Sequence, residues 1–352
     1  LAYRIRLSAL VALTALLGAC GSGEPQLEAI APPPVDGEPS YLDDPIGPLP
    51  ETIEELGLHG NPVDLRRTHP RALAYEPAFP LWSNGSAKER FLVLPPDQTI
   101  DPTNPSSWSF PTGTLFLKTF SYPDAGESGG SRPVETRVLQ SSDSGWEYAV
   151  YLWDEAGKTA ALRDISRSAA VPVEHDGESF EHVVPSKLDC RKCHESEPNT
   201  VLGFREIQLG PSGAPESELT RLAARGVFGS EPRPEFERIE HEDPLTEDVL
   251  RYFQGNCVHC HNGGEGASSA FDMRHEVALE NLIGRKTEGE LLSDGVRVVP
   301  GDPDASVVFL TLARRSDISG ILPMPPVGVE RVDGAALELV RSWILGLEPR
   351  EG

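Results

Sequence analysis

Between residues 51 and 185 the chain is built of short, strand-like runs. Gly113 to Phe120 is rich in β-formers, and Val134 to Gln140 and Trp146 to Trp153 flank Ser142-Asp143-Ser144-Gly145, which reads as a hairpin loop. Asp154-Glu155-Ala156-Gly157 turns the chain again, into Thr159 to Arg163. Four adjacent strands with short turns predict an antiparallel meander, a small sandwich or curved sheet. Ahead of it, Pro80 to Ser86 predicts a tight turn in which Asn84-Gly85 supplies positive φ.

After residue 185 the pattern turns helical. Ser186 is a plausible N-cap for a short helix over Cys190 to His194, and Ser217 to Arg225 predicts a second, closed by Gly226. Asp243-Pro244 opens a helix through Val249, Leu250, Tyr252 and Phe253 that runs up to Cys257. Gly263-Gly264-Glu265-Gly266 then forms a loop able to approach a flat ligand closely. Asp304 is expected to begin a helix through Leu312, Leu322-Pro323-Met324-Pro325-Pro326 a rigid extended loop, and Asp333 a final helix with Leu337, Val340, Ile344 and Leu347 on one face.

The chemistry lies in two short segments, Cys190-Arg191-Lys192-Cys193-His194 and Cys257-Val258-His259-Cys260-His261. Two thiols spaced by two residues and followed at once by an imidazole form the attachment signal of a c-type haem. On a helical turn both thiols lie near one face, where they add across the two vinyl groups of one porphyrin, and the following imidazole falls beneath the iron. Zinc ribbons close over roughly 15–20 residues and need no trailing His, whereas the interval here runs from Cys193 to Cys257. Thioredoxin-like dithiols occur once per domain at a helix start after a strand, which fits a doubled motif poorly.

Composition sharpens this. The 352 residues suffice for two or three domains, and the net charge of -24 argues against nucleic acid and anionic lipid headgroups as partners while favouring a basic or neutral redox protein. Four of the five cysteines lie in the two motifs, which leaves none to pair with the fifth, Cys20. Arg4 and Arg6 precede an apolar run from Leu7 to Leu17, the pattern of a secretory signal, and Leu17-Gly18-Ala19-Cys20 resembles a bacterial lipobox. That likeness implies residues 1–20 as a signal peptide, lipidation at Cys20 and, with Gly21 next, an outer-membrane destination. An anchor of two or more acyl chains, at roughly 0.8 kcal/mol per buried CH₂, is stable. Residues 21–50, with eight prolines, read as an extended tether.

His194 and His261 are the proximal ligands expected of the two irons. Met324, one of two methionines, is the candidate opposite His261, since a thioether favours Fe(II) and raises the potential; its alternative role is a core filler. No methionine lies between His194 and Phe271, so the far side of the first iron is open: His175, His182 and His241 are nearest, His59 and His69 more distant, and Met273 and His275 follow the second motif. His259 is expected to point away from its own iron.

The order of helix, haem motif, helix, Met loop and helix over the last third resembles a class I cytochrome c. Over residues 50–347 the chain also resembles an uncharacterised family of bacterial dihaem c-type cytochromes, exported lipoproteins. The resemblance rests on Leu81 to Arg90, Gly113-Thr114 with Lys118-Thr119-Phe120, Glu135-Thr136-Arg137, Leu202-Gly203 with Gln208-Leu209, Asn256 to His261, and Gly301-Asp302-Pro303. Asn84, where Asp is expected, and Gly210, where Asn is expected, depart from the pattern. The expected fold is α+β and multidomain: an antiparallel β-rich domain (51–185), then mainly α-helical c-type cytochrome domains, a first haem segment (186–240) and a class I cytochrome c-like domain (241–352). Function is expected to be electron transfer between two covalently attached haems and a redox partner. The alternatives are a dihaem enzyme, peroxidase-like or a small-molecule dehydrogenase, with the first haem catalytic, and a haem-stabilised binding module.

Overall fold

The computed structural model describes residues 39–348 except 106, 125–129, 197–198, 211–213, 215, 233–237, 265–266, 268–270 and 289–294. The signal segment with Cys20, residues 21–38 of the tether, and Glu265 and Gly266 lie outside the described residues.

A six-stranded antiparallel sheet organises the chain. Its strands run in sequence order: β1 (Leu73–Ala74), β2 (Ala87–Val93), β3 (Leu115–Pro123), β4 (Ser131–Ser142), β5 (Gly145–Trp153) and β6 (Ala160–Leu162). The predicted meander is β3 to β6; β1 and β2 extend it at one edge. Asn84 (φ 55°) and Gly85 (φ 78°) make the predicted turn, and it leads directly into β2. The β3–β4 register slips between Phe120 and Ser121, opposite Pro133. Proline cannot donate to a ladder, so the bulge falls where it costs least. A separate hairpin, β7 (Ala169–His175) and β8 (Glu178–Val184), turns at Asp176-Gly177, both at positive φ.

The two sheet faces bury different partners. Phe91, Leu117, Val138 and Tyr151 share one face with α1 (Ile53–Leu56) and the segment around Leu42 and Leu58. On the other, Leu92, Phe116 and Leu139 meet Phe204, Leu209 and the apolar stripe of Leu219 and Leu222. These last come from α3 (Glu206–Leu209) and α4 (Glu218–Ala224); Ser217 caps α4 through the Thr220 N–H, and Gly226 (φ 74°) follows it. α2 (Lys187–His194), capped reciprocally by Ser186 and Asp189, carries the whole first motif on the same side.

A second core lies beyond. α5 (Pro244–Asn256) and α8 (Gly334–Gly346) pack through Phe253 and Trp343, whose rings meet edge to face at 6.2 Å, with α6 (Ala278–Leu282) and α7 (Val307–Leu312) around them. Such a ring pair is worth about 0.5–1.5 kcal/mol beyond its buried area. The helix expected from Asp304 starts later: Asp302 caps a 3-10 turn over Pro303–Ala305, and α7 follows.

The expectation that mainly α-helical cytochrome domains follow a β-rich domain is not met. Helix accounts for only 23% of the structure, and the antiparallel six-stranded sheet with its two-stranded companion is the dominant architecture. The reason is local. Among the described residues only α5 and α8 reach 13 residues; the others are four to eight residues long and are separated by irregular Gly- and Pro-containing turns. Helices this short depend on tertiary packing.

One segment ties the two cores. Residues 75–86 cross between them: Ala78 N–H donates to Gln208 O at 2.6 Å, Phe79 N–H to Gln208 Oε1 at 3.0 Å, and Trp82 N–H to Asn256 Oδ1 at 2.8 Å. Gly255 lets α5 approach, since a Cβ there would sit 2.5 Å from Phe79 O. No helix among the described residues is long and apolar enough to cross a membrane.

Candidate cofactor clefts

The two motifs, separated by 62 intervening residues in sequence, meet in space. Cys193 and Cys260 Sγ lie 4.0 Å apart. Ser196 donates to the carbonyls of both Cys193 (2.7 Å) and His259, and Asn262 Nδ2 donates to Ser196 O at 3.1 Å, so the two motif ends are laced together. Two clefts open on either side of this junction. His259, Cys260, Pro325 and Pro326 line both.

The second cleft holds about 820 Å³ of space, counting the part open to solvent. Cys257, Cys260, His261 and Met324 all line it, among Tyr252, Phe271, Met273, Val308 and Leu312. The motif forms a hydrogen-bonded turn at the end of α5, with Cys260 and His261 N–H both donating to Cys257 O. The His261 ring lies tilted against Phe271 at 4.4 Å, and its buried Nδ1 has no partner among the described residues. Burial lowers its pKa to about 4, which keeps the ring neutral and able to ligate. Met324 N–H donates to Thr311 O at 3.1 Å, and Asn84 Oδ1 accepts from Glu330 (2.7 Å) and Arg331 (3.0 Å) N–H, holding the Met-Pro-Pro loop from both ends.

The first cleft is larger, about 1650 Å³ on the same measure, and lies between α2 and the sheet. Cys190, Cys193 and His194 line it. His194 Nδ1 donates to Thr200 O at 2.8 Å, which fixes the tautomer and leaves Nε2 unprotonated; burial lowers its pKa to about 4. Tyr148 sets its ring edge against His194 at 5.7 Å, and its buried hydroxyl has no partner.

The thiols are held protonated. Burial pushes Cys190 up to about 11 and Cys257 up to about 12, and the contact with Cys260 together with burial raises Cys193 further. Reactive dithiols are lowered, not raised.

Of the imidazoles considered for the first iron, His182 lines the cleft, but Tyr122 (2.9 Å) and Glu135 (2.9 Å) occupy both its ring nitrogens. His59 is buried against Phe91 and Trp153, with the core on the opposite sheet face. His69 lies 3.4 Å from Asp43, His175 3.3 Å from Asp176 and His275 3.3 Å from Glu276. His241 accepts from Asp243 N–H. Met273 belongs to the second cleft. A further imidazole that lines the first cleft is His259, from the middle of the second motif.

No protein-family model, curated protein or solved structure matches this chain. Around the clefts, Gln208 and Asn256 brace residues 78–82, and Asn84 accepts the backbone N–H groups of Glu330 and Arg331 beyond the Met324 loop. Sequence reasoning missed a row of cations on the first cleft's sheet wall, Arg90, Lys118 and Arg137. Their signal is a lysine inside the apolar run Leu115 to Phe120 and an arginine at the matching position of the next strand.

Proposed function

We propose that the protein is an exported, lipid-anchored dihaem c-type cytochrome that passes electrons between its two haems and a redox partner. The observation that carries this reading is the convergence of both Cys-x-x-Cys-His motifs on adjoining clefts, with a neutral imidazole in each. The residues fit the cofactor. Cys190 and Cys193 would hold one porphyrin with His194 as ligand; Cys257 and Cys260 would hold the other with His261, whose orphaned Nδ1 marks a ring not committed to a protein partner on that side. A bound c-type haem supplies a one-electron iron couple whose potential its ligands and surroundings set.

The chain's own groups do the rest. His194, oriented by Thr200, and His261, wedged against Phe271, present unprotonated nitrogens. Met324 brings a soft sulfur to the His261 cleft, which favours the reduced state. The 4.0 Å approach of Cys193 and Cys260 gives the two attachment points a short path between them. The acidic surface, with a net charge of -24, would steer a basic partner. Alkaline pyridine spectra of the purified protein should count two covalent haems, and a colourless protein would end this reading. Met324→Ala should erase the weak sulfur-to-iron band at the red end of the oxidised spectrum and lower one midpoint potential; two unchanged potentials would remove Met324 from the site.

Two observations favour other readings. The first cleft is the larger and no methionine lines it, which suits a catalytic iron open to small molecules; cyanide or peroxide should then change the spectrum of the oxidised protein, and silence to both would exclude it. Cys193, His259 and Cys260 have ligating atoms within 4.8 Å of one another. Tetrahedral zinc with Zn–S of about 2.3 Å would also set two thiolates just under about 4 Å apart. Elemental analysis separates zinc from iron.

A further inference from the structure

The sheet wall of the first cleft carries charges that the protein itself does not balance. In the register of β2, β3 and β4, Arg90 stands opposite Lys118, and Lys118 opposite Arg137, on one face. Lys88 lies two residues along on the same face. Like charges directly opposite one another destabilise a sheet, and partial burial worsens the repulsion because less water screens it.

Among the described residues one carboxylate touches this row, and it is already engaged; Glu76 and Asp333 act on Arg90 and Lys88 only at a distance. Glu135 is fully buried, ion-paired to Arg137 at 2.5 Å and bonded to His182 at 2.9 Å. Neither Arg90 nor Lys118 has a hydrogen-bonded or ion-paired carboxylate among the described residues. Lys118 and Arg137 lie over the Phe120 ring at 4.8 and 4.4 Å, which offsets only part of their desolvation. Burial, then the neighbouring cations, push Lys118 well below its ordinary pKa and Lys88 to about 8. All this occurs in a chain whose overall charge has the opposite sign. Arg90, Lys118 and Arg137 line the first cleft, and so does Tyr148 with its unpartnered hydroxyl.

We propose that Arg90, Lys118 and Arg137 form an anion site in the first cleft, which takes a carboxylate or small oxyanion beside the Cys190 to His194 motif. An anion there would relieve the cross-strand repulsion and receive charge-assisted hydrogen bonds from the Arg90 guanidinium, the Lys118 ammonium and the Arg137 N–H groups that Glu135 leaves free. Two sources share this chemistry. The carboxylate arms of a porphyrin held by Cys190 and Cys193 are one, and in that form the site rests on the haem reading. A free oxyanion is the other, and it needs no haem.

Haem content, midpoint potentials and calorimetric titrations with acetate and with inorganic sulfate should be measured on the full-length protein, on Lys118→Met and on Arg90→Gln. Lys118→Met removes a half-buried charge set among like charges and keeps the stem's volume, so folding should survive it; Arg90→Gln is an independent second probe. A free oxyanion gives saturable binding to the wild type that weakens by about tenfold or more in each variant. Porphyrin carboxylates give no such binding, but one midpoint potential falls in both variants at unchanged haem content, because a nearby cation favours the reduced iron. Variants that leave both binding and potentials at wild-type values overturn the anion site while leaving a haem protein intact. A colourless protein that still binds sulfate through these residues refutes the haem reading and upholds the anion site; one that binds neither anion overturns both.

Discussion

The two Cys-x-x-Cys-His motifs share a spacing and little else. The first rides on α2, a capped helix laid against a β-sheet, and faces a wall of arginine and lysine. The second closes the end of α5 in a nearly apolar cleft, where the guanidinium of Arg297 lies over Phe271 at 4.1 Å and Met324 enters from a proline-flanked loop. Covalent attachment asks for the same residues in both places. Potential, accessibility and ligand class depend on what surrounds them. On the proposed haem reading, the comparison teaches that a repeated motif would mark repeated attachment but need not mark repeated function.

Removing the attachment chemistry tests whether the two sites are separate. Cys257→Ala with Cys260→Ala should leave one covalent haem, as should Cys190→Ala with Cys193→Ala, read from the ratio of haem absorbance to protein. Because Cys193 and Cys260 touch at the junction, a double variant of one motif that strips both haems would show instead a single composite site.

The next largest effect belongs to the first site alone. Glu135 is the carboxylate in contact with its cations, and Glu135→Gln leaves the half-buried Arg137 without its counter-charge, which should cost about 3 kcal/mol in denaturant unfolding, the low end for a buried pair. The same group predicts acid sensitivity. Burial alone would raise its pKa, but Arg137 and His182 outweigh burial and hold it at about 2, below the ordinary 4.5. A depressed carboxylate stabilises the fold above pH 4.5, and that contribution is lost as the pH falls from 4.5 towards 2. Denaturant titrations should show this loss in the wild type and not in Glu135→Gln.

The second site has its own weak point in Gly255. An added Cβ would lie 2.5 Å from a backbone oxygen, Phe79 O, which cannot swing aside as a flexible side chain could. Gly255→Ala should therefore cost about 1–3 kcal/mol and disturb the spectrum of the His261 site more than that of the His194 site. Equal disturbance of both would mean that residues 75–86 transmit strain across the molecule.

How much of this was legible in the sequence differs between the same two regions. The motifs, the caps at Ser186, Ser217, Asp243 and Asp333, and the meander from β3 to β6 follow from local signals, since caps and turns need particular side chains at fixed offsets. Asp176-Gly177 was an equally local hairpin signal that went unread, and β7 and β8 with it. The mainly helical second half was wrong because each helix signal is real but short, and periodicity does not reveal how much irregular chain lies between such signals. The cation row was illegible for another reason. Arg90, Lys118 and Arg137 become neighbours only through register across three strands, which no single-strand pattern encodes.

The smallest expected difference between the two sites is at Asn84, which acts on them through the loop that carries Met324. Its Oδ1 accepts the backbone N–H groups of Glu330 and Arg331, while its Nδ2 is buried without a partner. Asn84→Ala leaves both N–H groups unanswered, at about 1–3 kcal/mol for each that stays dry, and frees the loop that carries Met324. Asn84→Asp keeps the acceptor, strengthens it by charge and removes the orphaned amide, so it should recover the Met324 spectrum that Asn84→Ala weakens. Pro325 to Val329 line the first cleft as well, but Met324 lines only the second, so the potential of the first site should move less than that of the second. If Asn84→Ala shifts the His194 site as much as the His261 site, the two clefts are one electrostatic unit, and the contrast between an apolar and a cationic wall no longer explains their difference.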